Sequence, residues 1–233
     1  MAEKAKTCVW GHYMTYYTIT SIQDGRSLYC GDFTTFRACI ETAVSAGISL
    51  HHADLRQTNL LNATLDGADL RGADFTGANL TGANLSEAKL DNALFFGTAL
   101  MNAVLCESSL KGTHFIDSSF GATLLDAALL DQAHFSGLST FSLDFTGVQK
   151  MRNCVFLNPC GTICPITRPP VVIQGLSRPF IVMDRHLKIG HAVYCLESKT
   201  SADLWPAGHG ILNPGQLRLR LERIIAGTRA KAA

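Results

Sequence analysis

The sequence predicts an all-β solenoid in its central part, and three regularities of period five carry that prediction. Every fifth residue from Leu50 to Phe135 is Leu or Phe, which gives 18 consecutive matches. The residue two places before each of these centres is Ala, Ser or Thr in 17 of the 18 cases, with Ile48 as the exception. The residue two places after the centre is often Gly, Asn or Asp. Internal repeats of this kind decide the architecture before local propensities do.

Each five-residue unit, or pentad, predicts a short extended piece followed by a turn. A period of five fits neither a helix, which repeats every 3.6 residues, nor a continuous strand, which repeats every two. The centre and the small residue before it lie two positions apart, so in extended backbone both side chains point to one side. Gly, Asn and Asp then supply the tight or left-handed turn. These turn positions are Asn62, Gly67, Gly72, Gly77, Gly82, Asn92, Gly97, Asn102, Gly112, Asp117 and Gly137.

The pentads resemble the pentapeptide-repeat family, whose pattern is A(D/N)LXX. This pattern stands almost unchanged in residues 68–72, 73–77, 78–82 and 83–85. The resemblance implies the fold of that family, a right-handed quadrilateral β-helix in which four pentads form one coil of about 20 residues.

Phenylalanine centres support a coil of this length independently. Phe75, Phe95, Phe115 and Phe135 follow one another at intervals of 20 residues. This spacing predicts one inward column of aromatic rings, with successive centres about one strand spacing, ~4.8 Å, apart.

The segment before the repeats predicts strands and a capping helix. Residues 1–33 are rich in β-forming residues and contain a turn signal at Asp24–Gly25. A helix is expected over residues 32–47, capped by Thr34 or Thr35 and ended by Gly47. Such a helix would cover the open end of the solenoid, where unpaired strand edges invite aggregation. Its buried face is expected to contain Phe36, Ile40, Ala43 and Val44.

The predicted domains are residues 1–47 (strands and capping helix), 48–149 (β-helix), 150–168 (a linker containing Cys and Pro) and 169–233 (a small β module with a C-terminal helix). The last module predicts three strands, at residues 171–173, 180–183 and 191–196, and a helix that begins at Asn213–Pro214. The order of short motifs between Gly175 and Gly190 is similar to a tail of phage-encoded pentapeptide-repeat proteins, a resemblance that implies no activity.

Charge divides the chain unevenly. The whole chain has a net charge of +1, but residues 48–145 contain 11 acidic and four basic residues, so the repeats are acidic and the flanks are basic. No apolar stretch approaches the ~18 residues of a membrane span, and residues 1–7 are polar without a signal-type apolar run. We expect a cytoplasmic protein, or a virion protein if the chain is phage-encoded.

Eight cysteines are many for a cytosolic protein, and buried free thiols are the simplest interpretation. Cys160, Cys164 and Cys195, with His191, are candidate zinc ligands, although the second pair lacks close spacing. A disulfide between Cys160 and Cys164 is the other alternative. No cofactor is expected.

Outward positions spaced by 20 predict columns along the rod. Arg71, Asp91, Lys111 and Asp131 alternate in sign and predict a ladder of exposed ion pairs, each contributing about 0 to 1 kcal/mol. His114 and His134 should also lie one above the other, as polar surface rather than as a metal site or pH switch. The chain contains no nucleophile elbow, His-Glu-x-x-His or phosphate-binding glycine loop, so an enzyme is not expected.

Outward residues change character along the repeats. They are mostly polar in the first two coils and apolar in the later ones, and clustered exposed apolar residues usually mark contacts. We therefore expect the C-terminal half of the rod to be covered, by residues 150–233 folding back or by another subunit. The predicted partner-binding residues are Leu94, Phe96, Met101, Val104, Ile116, Leu124 and Leu129.

The favoured function is that of a non-enzymatic scaffold, a rigid rod that docks into a larger protein assembly, plausible for a phage-encoded virion component. Its partners would be proteins, including further copies of itself, and neither nucleic acid nor membrane. A second hypothesis comes from the family: some pentapeptide-repeat proteins mimic duplex DNA and bind type II topoisomerases such as gyrase. A third is a zinc-bearing binding module.

Overall fold

The computed structural model describes residues 7–9, 12–137, 139–140, 143–145, 147–157, 163–166, 171–173, 180–183, 186–189 and 192–195. The chain divides into two compact units, residues 1–167 and 168–233.

The first unit begins with a three-stranded antiparallel sheet. Its strands are β1 (Thr7–Val9), β2 (His12–Thr20) and β3 (Ser27–Phe33), in the order β1-β2-β3. Gly25 makes the turn between β2 and β3 with a φ of 68°, a left-handed conformation that glycine adopts without steric cost. The strands and the turn agree with the sequence-based prediction.

A single helix in the described part of the chain follows, α1 (Phe36–Ser45). Thr35 caps it, because its Oγ1 accepts a hydrogen bond of 3.1 Å from the Ala38 N–H. The buried face differs from the predicted one: Cys39, Ile40 and Ala43 are buried, whereas Phe36 and Val44 are only half-buried. Within the described residues, no helix has the length and apolar content that a membrane span needs.

The repeats stack in parallel at a separation of 20 residues. The residue before each centre pairs with the residue one coil later in four separate ladders, which together account for four consecutive pentads. The members of the first ladder are Asp54, Asp74, Leu94, His114 and His134; of the second, Asn59, Asn79, Ala99 and Ser119; of the third, Thr64, Asn84, Val104 and Leu124; and of the fourth, Asp69, Lys89, Ser109 and Leu129. This pairing indicates a β-helix with four pentads in each coil.

The corners of the coils all use the left-handed backbone region. Every fifth residue from His52 to Gly137 has a φ between 51° and 91°. Glycine fills only part of these positions; Ala122 and Ala127, for example, have φ values of 52° and 58°. The geometry of the turn is thus more regular than the sequence at the turn.

The core contains one large and one small side chain per pentad. All 18 Leu and Phe centres are buried, and so are the small residues two places before them, apart from the half-buried Ile48 and Thr58. Hydroxyl groups among the small residues remain hydrogen-bonded inside the coil. The Thr98 Oγ1 donates to the Phe75 carbonyl at 2.8 Å, and the Thr123 Oγ1 donates to the Leu100 carbonyl at 2.7 Å.

The four spaced phenylalanines lie in one stack. Ring centroids are 4.8 Å apart from Phe75 to Phe95, 4.9 Å from Phe95 to Phe115, and 5.2 Å from Phe115 to Phe135. The last three of them belong, in chain order, to strands β4 (Leu94–Phe96), β5 (His114–Ile116) and β6 (His134–Ser136), which pair in parallel.

This sheet continues into the segment predicted as a linker. Strand β7 (Cys154–Leu157) pairs in parallel with β6, and β8 (Ile163–Ile166) pairs antiparallel with β7. Phe156 extends the aromatic stack, with its centroid 4.9 Å from that of Phe135. The sequence did not reveal this coil because Phe156 follows Phe135 by 21 residues instead of 20, so one inserted residue hides the register.

The second unit contains a four-stranded antiparallel sheet in the order β12-β11-β10-β9. Its strands are β9 (Val171–Ile173), β10 (Phe180–Met183), β11 (His186–Ile189) and β12 (Ala192–Cys195). Strand β11 was not predicted. The predicted C-terminal helix from Asn213 lies outside the described residues.

The buried centres allow a direct test of the core. We expect Leu85→Asp to unfold the rod, because Leu85 is fully buried and an unpaired buried charge costs several kcal/mol. Asn84→Asp is the matched control, since residue 84 points outward and the new carboxylate still accepts the Ser86 hydrogen bonds. Thermal unfolding followed by circular dichroism should show no cooperative transition for Leu85→Asp and a nearly unchanged one for the control. A Leu85→Asp melt close to the wild type would contradict the core assignment.

Candidate protein-interaction surface

The outer face of strands β4 to β7 presents a group of apolar side chains. Register places two parallel rows of outward side chains on this face. One row contains Leu94, His114, His134 and Val155, and the other contains Phe96, Ile116, Ser136 and Leu157. Val155 and Leu157 were not among the predicted residues, because their strand was hidden by the one-residue insertion.

Leu94, Phe96 and Ile116, together called the Phe-face patch, form the apolar centre of this surface. Phe96 is 53% exposed and Leu94 is 37% exposed, while Ile116 is half-buried. The same face is polar one and two coils earlier, where Asp54 and Asp74 occupy the row of Leu94. The patch therefore has an abrupt polar border on its N-terminal side.

The other predicted partner-binding residues lie elsewhere. Val104 and Leu124 pair in the third ladder, which the second and fourth ladders separate from the first. Met101 and Leu124 are exposed, at 46% and 47%, and Leu129 belongs to the fourth ladder. The seven residues do not form one surface; only the Phe-face patch and the Val104–Leu124 pair are brought together.

The two histidines lie directly beside the Phe-face patch. The His114 and His134 ring centroids are 4.5 Å apart, as the 20-residue spacing predicts. Partial burial, with a smaller contribution from the neighbouring His134 imidazole, holds the pKa of His114 below its usual value. Both rings are half-buried, so a proton added to His114 would be poorly solvated.

The predicted ladder of ion pairs is wrong. The Arg71 guanidinium makes two parallel bonds to Asp69 of its own pentad, with Nε 2.7 Å from Oδ1 and Nη2 2.8 Å from Oδ2. Asp91, one coil further, accepts hydrogen bonds from the Ser109 hydroxyl and the Lys111 backbone N–H. In the described residues, no ion pair joins Arg71, Asp91, Lys111 and Asp131, because the bidentate contact within the pentad satisfies the arginine first.

Arginines bound to aspartates offset part of the negative charge at the N-terminal end of the rod. The hydrogen bonds from Arg71, despite partial burial, hold the pKa of Asp69 at about 2. Asp54 receives the same kind of contact from Arg56, at 2.7 Å. Both pairs are partly exposed, so solvent screens them and they add little to stability.

The four cysteines whose side chains the structure describes are free thiols. Cys30, Cys39, Cys106 and Cys154 form no disulfides. Burial raises the pKa of Cys39 to about 11 and that of Cys154 to about 12, so both remain protonated at neutral pH. Their role is packing; the Cys154 Sγ also donates to the Leu130 carbonyl at 2.8 Å.

The candidate zinc ligands stay a prediction. Cys160 and His191 lie outside the described residues, and only the strand positions of Cys164 and Cys195 are described. Among the side chains that are described, no group of three His, Cys, Asp or Glu residues could hold a metal ion.

These features define a class of protein: a repeat-built β-helix with a continuous Leu and Phe core and an apolar patch on one outer face. The family model for pentapeptide repeats matches residues 46–82 and 83–121, with eight copies. Residues 46–121 of this chain therefore consist of pentapeptide repeats, and the same parallel pairing continues to Lys150. No curated protein sequence is significantly similar to the chain.

Three solved structures show some similarity to this chain. One is QnrB1, a plasmid-mediated fluoroquinolone resistance protein, with 20% identity over 44% of this chain and 59% of that chain and a TM-score of 0.26. A pentapeptide repeat protein from the Arabidopsis thaliana thylakoid lumen has 24% identity over 33% and 63%, with a TM-score of 0.14. HetL, a pentapeptide repeat protein involved in heterocyst differentiation regulation in the cyanobacterium Nostoc sp. strain PCC 7120, has 24% identity over 50% and 55%, with a TM-score of 0.14.

This chain spans less than two thirds of the length of each of these three proteins. None of the comparisons supports the predicted similarity to phage-encoded proteins, which stays a prediction.

Burial of His114 predicts a pH dependence of stability. Its pKa in the folded chain lies below the unfolded value of about 6.5, so the unfolded chain binds the proton more readily. Stability should therefore fall as the pH drops below about 6.5. We expect the melting temperature to fall less between pH 7 and pH 5.5 in His114→Gln than in the wild type. Equal losses in both proteins would show that His114 is not responsible.

Proposed function

We propose that this protein is a non-enzymatic interaction scaffold, a rigid right-handed quadrilateral β-helix that docks into a larger protein assembly through the Phe-face patch. The observation that carries the proposal is the exposure of Phe96 and Leu94 on a regular sheet face. Clustered exposed apolar side chains, unlike scattered ones, usually mark a contact with another protein.

The size of the patch suggests the centre of an interface rather than a whole one. Stable interfaces bury about 800 Å² on each partner, far more than three side chains provide. Their energy is concentrated in a few central aromatic and aliphatic residues that a polar rim shields from water. Phe96 fits the central position, and the His114 and His134 rings with the Asp74 carboxylate fit the rim.

A scaffold also agrees with the chemistry of the outer surface. Pentapeptide-repeat proteins are generally non-enzymatic scaffolds. Two outward acidic groups at the N-terminal end, Asp54 and Asp69, are each bound to an arginine of the same pentad, which leaves them unsuited to acid–base work. For the location we propose the cytoplasm; a place in a virion rests on the C-terminal sequence similarity alone.

The proposal is tested by comparing two exposed apolar residues on different ladders. The tagged full chain is used to co-purify its partner from the native source, and the affinity for that partner is then measured for each variant. We expect Phe96→Ser to weaken binding roughly tenfold or more, as the loss of a central interface residue does. Leu124→Ser, at similar exposure on the third ladder, should change the affinity about twofold at most. A Phe96→Ser variant that binds like the wild type would remove the patch from the interface.

A second candidate function is mimicry of duplex DNA toward a type II topoisomerase such as gyrase. The observation that favours it is the acidic character of residues 48–145, with 11 acidic and four basic residues. The bound carboxylates at Asp54 and Asp69 weaken that field at one end of the rod. For this reason we prefer the apolar patch as the binding determinant.

Gyrase supercoiling assays separate the two functions. We expect no inhibition by the purified chain at sub-micromolar concentration. Inhibition in that range, decreasing as salt is raised, would favour the DNA mimic, because contacts with a charged groove weaken as salt screens them.

A further inference from the structure

The N-terminal end of the β-helix has a gap in its cap. Four pentads of the first coil present their edge to this end: residues 48–52, which follow α1, and then residues 53–57, 58–62 and 63–67. In each of them, the backbone N–H of the residue before the centre points away from the next coil. In later coils the equivalent N–H bonds to the preceding coil; the Asn79 N–H, for example, donates to the Thr58 carbonyl at 2.9 Å.

In the three pentads between residues 53 and 67, two of the three edge N–H groups are paired within the chain. The Asp54 N–H donates to the Thr20 carbonyl at 2.7 Å, and the Ile22 N–H donates to the His52 carbonyl at 2.8 Å, so the end of β2 adds to the coil as an antiparallel strand. The Thr64 N–H donates to the Glu41 Oε1 at 2.9 Å, a side-chain contact from α1.

Asn59 is the exception. Among the described residues, nothing hydrogen-bonds to its backbone N–H or its carbonyl; only the side-chain oxygen has partners. Unpaired backbone groups on a strand edge are a template for another strand. The Asn59 backbone N–H and carbonyl thus point in the same direction. A second extended segment can pair with a donor and an acceptor arranged in this way.

A cleft of about 490 Å³ lies over this edge, between α1 and the pentad 58–62. Tyr17 and Phe36, whose ring centroids are 5.8 Å apart, form part of its wall, and Leu61 contributes a side chain that is 40% exposed. Arg37 is the one charged residue among the described residues of the lining, and its Nη1 donates to the Leu61 carbonyl at 2.7 Å. This contact fixes the rim of the cleft without reaching Asn59.

We propose that this cleft binds an extended peptide segment of a partner protein, which adds as a short strand to Asn59. The backbone of the peptide would pair with the Asn59 N–H and carbonyl, and an apolar side chain of the peptide would pack on Tyr17, Phe36 and Leu61. This is the known physical mode of strand addition, in which the backbone gives affinity and side-chain pockets give selectivity. The chain supplies its own precedent, since residues 20–22 occupy the neighbouring edge in this way.

The probe is a library of random decapeptides displayed on phage and selected on the full-length chain, followed by affinity measurements on synthetic peptides. Asn59→Pro removes the N–H, which has no acceptor in the described chain. Asn59→Ala keeps the N–H and removes only the side chain. We expect selected peptides to bind Asn59→Pro roughly tenfold more weakly than the wild type, and to bind Asn59→Ala nearly as well as the wild type.

Amide hydrogen exchange gives a second readout at the same residue. The Asn59 amide should exchange quickly in the free chain and become protected when the peptide binds. The Asn79 amide, which is already hydrogen-bonded, should be protected in both states. If Asn59→Pro melts well below the wild type, Leu61→Asp replaces it with the same expected loss of affinity.

Three results would overturn the inference: no enriched peptide, equal binding to the wild type and the proline variant, or an Asn59 amide whose exchange the peptide leaves unchanged. Phe96→Ser should leave peptide binding intact, because the Phe-face patch lies on other coils. Failure of the patch as a docking site and failure of the cleft as a peptide site are therefore distinguishable.

Discussion

The hydrogen bonds between each residue and its counterpart one coil later are the constraint on which the rest of the structure depends. In a helix or a hairpin, backbone groups find partners nearby, but here each short strand is paired by residues about 20 positions away. The Leu80 N–H donates to the Ala99 carbonyl and the Leu85 N–H to the Val104 carbonyl, each at 2.8 Å. Once this separation is fixed, every inward side chain stacks on the inward side chain one coil away, and every outward side chain joins a column.

Stacking of this kind leaves two open ends, and the chain closes them by different means. At the C-terminal end β8 turns back and pairs antiparallel with β7, which stops the parallel series. At the N-terminal end the closure is composite: a strand end covers Asp54 and a helix side chain covers Thr64. Because this cap is made of separate, non-repeating elements, it does not cover every pentad of the first coil. Asn59 is left without a backbone hydrogen-bond partner among the described residues. Repeat proteins need such capping elements because their last strand edges would otherwise pair with other chains.

Much of the fold could be predicted because the five-residue pattern recurs many times in the sequence. The buried centres, the small residues beside them and the 20-residue coil follow from the period and from the spacing of four phenylalanines. Strand β7 could not be found, since one inserted residue before Cys154 moves its register by one. The left-handed corners at Ala122 and Ala127 gave no signal, because the stacked coils impose that conformation on residues that do not favour it.

The candidate surface was predictable only in part, and the reason lies in side-chain reach. Column positions follow from arithmetic, so the His114–His134 stack and the adjacency of Leu94, Phe96 and Ile116 could be expected. The same arithmetic does not predict which partner a flexible charged side chain contacts, as the pairing of Arg71 with Asp69 shows. The cleft at Asn59 was hidden as well, because it depends on where a helix and a hairpin meet the first coil, and no periodicity records that contact.

Nuclear Overhauser contacts between backbone amide protons test the central claim most directly, because they report which residues lie one coil apart. The account predicts cross-peaks at separations of 19 to 21 residues along the repeats, for example between Leu60 and Asn79, Leu80 and Ala99, and Leu85 and Val104. Cross-peaks at a constant separation of about 15 residues would mean three pentads per coil and would contradict it.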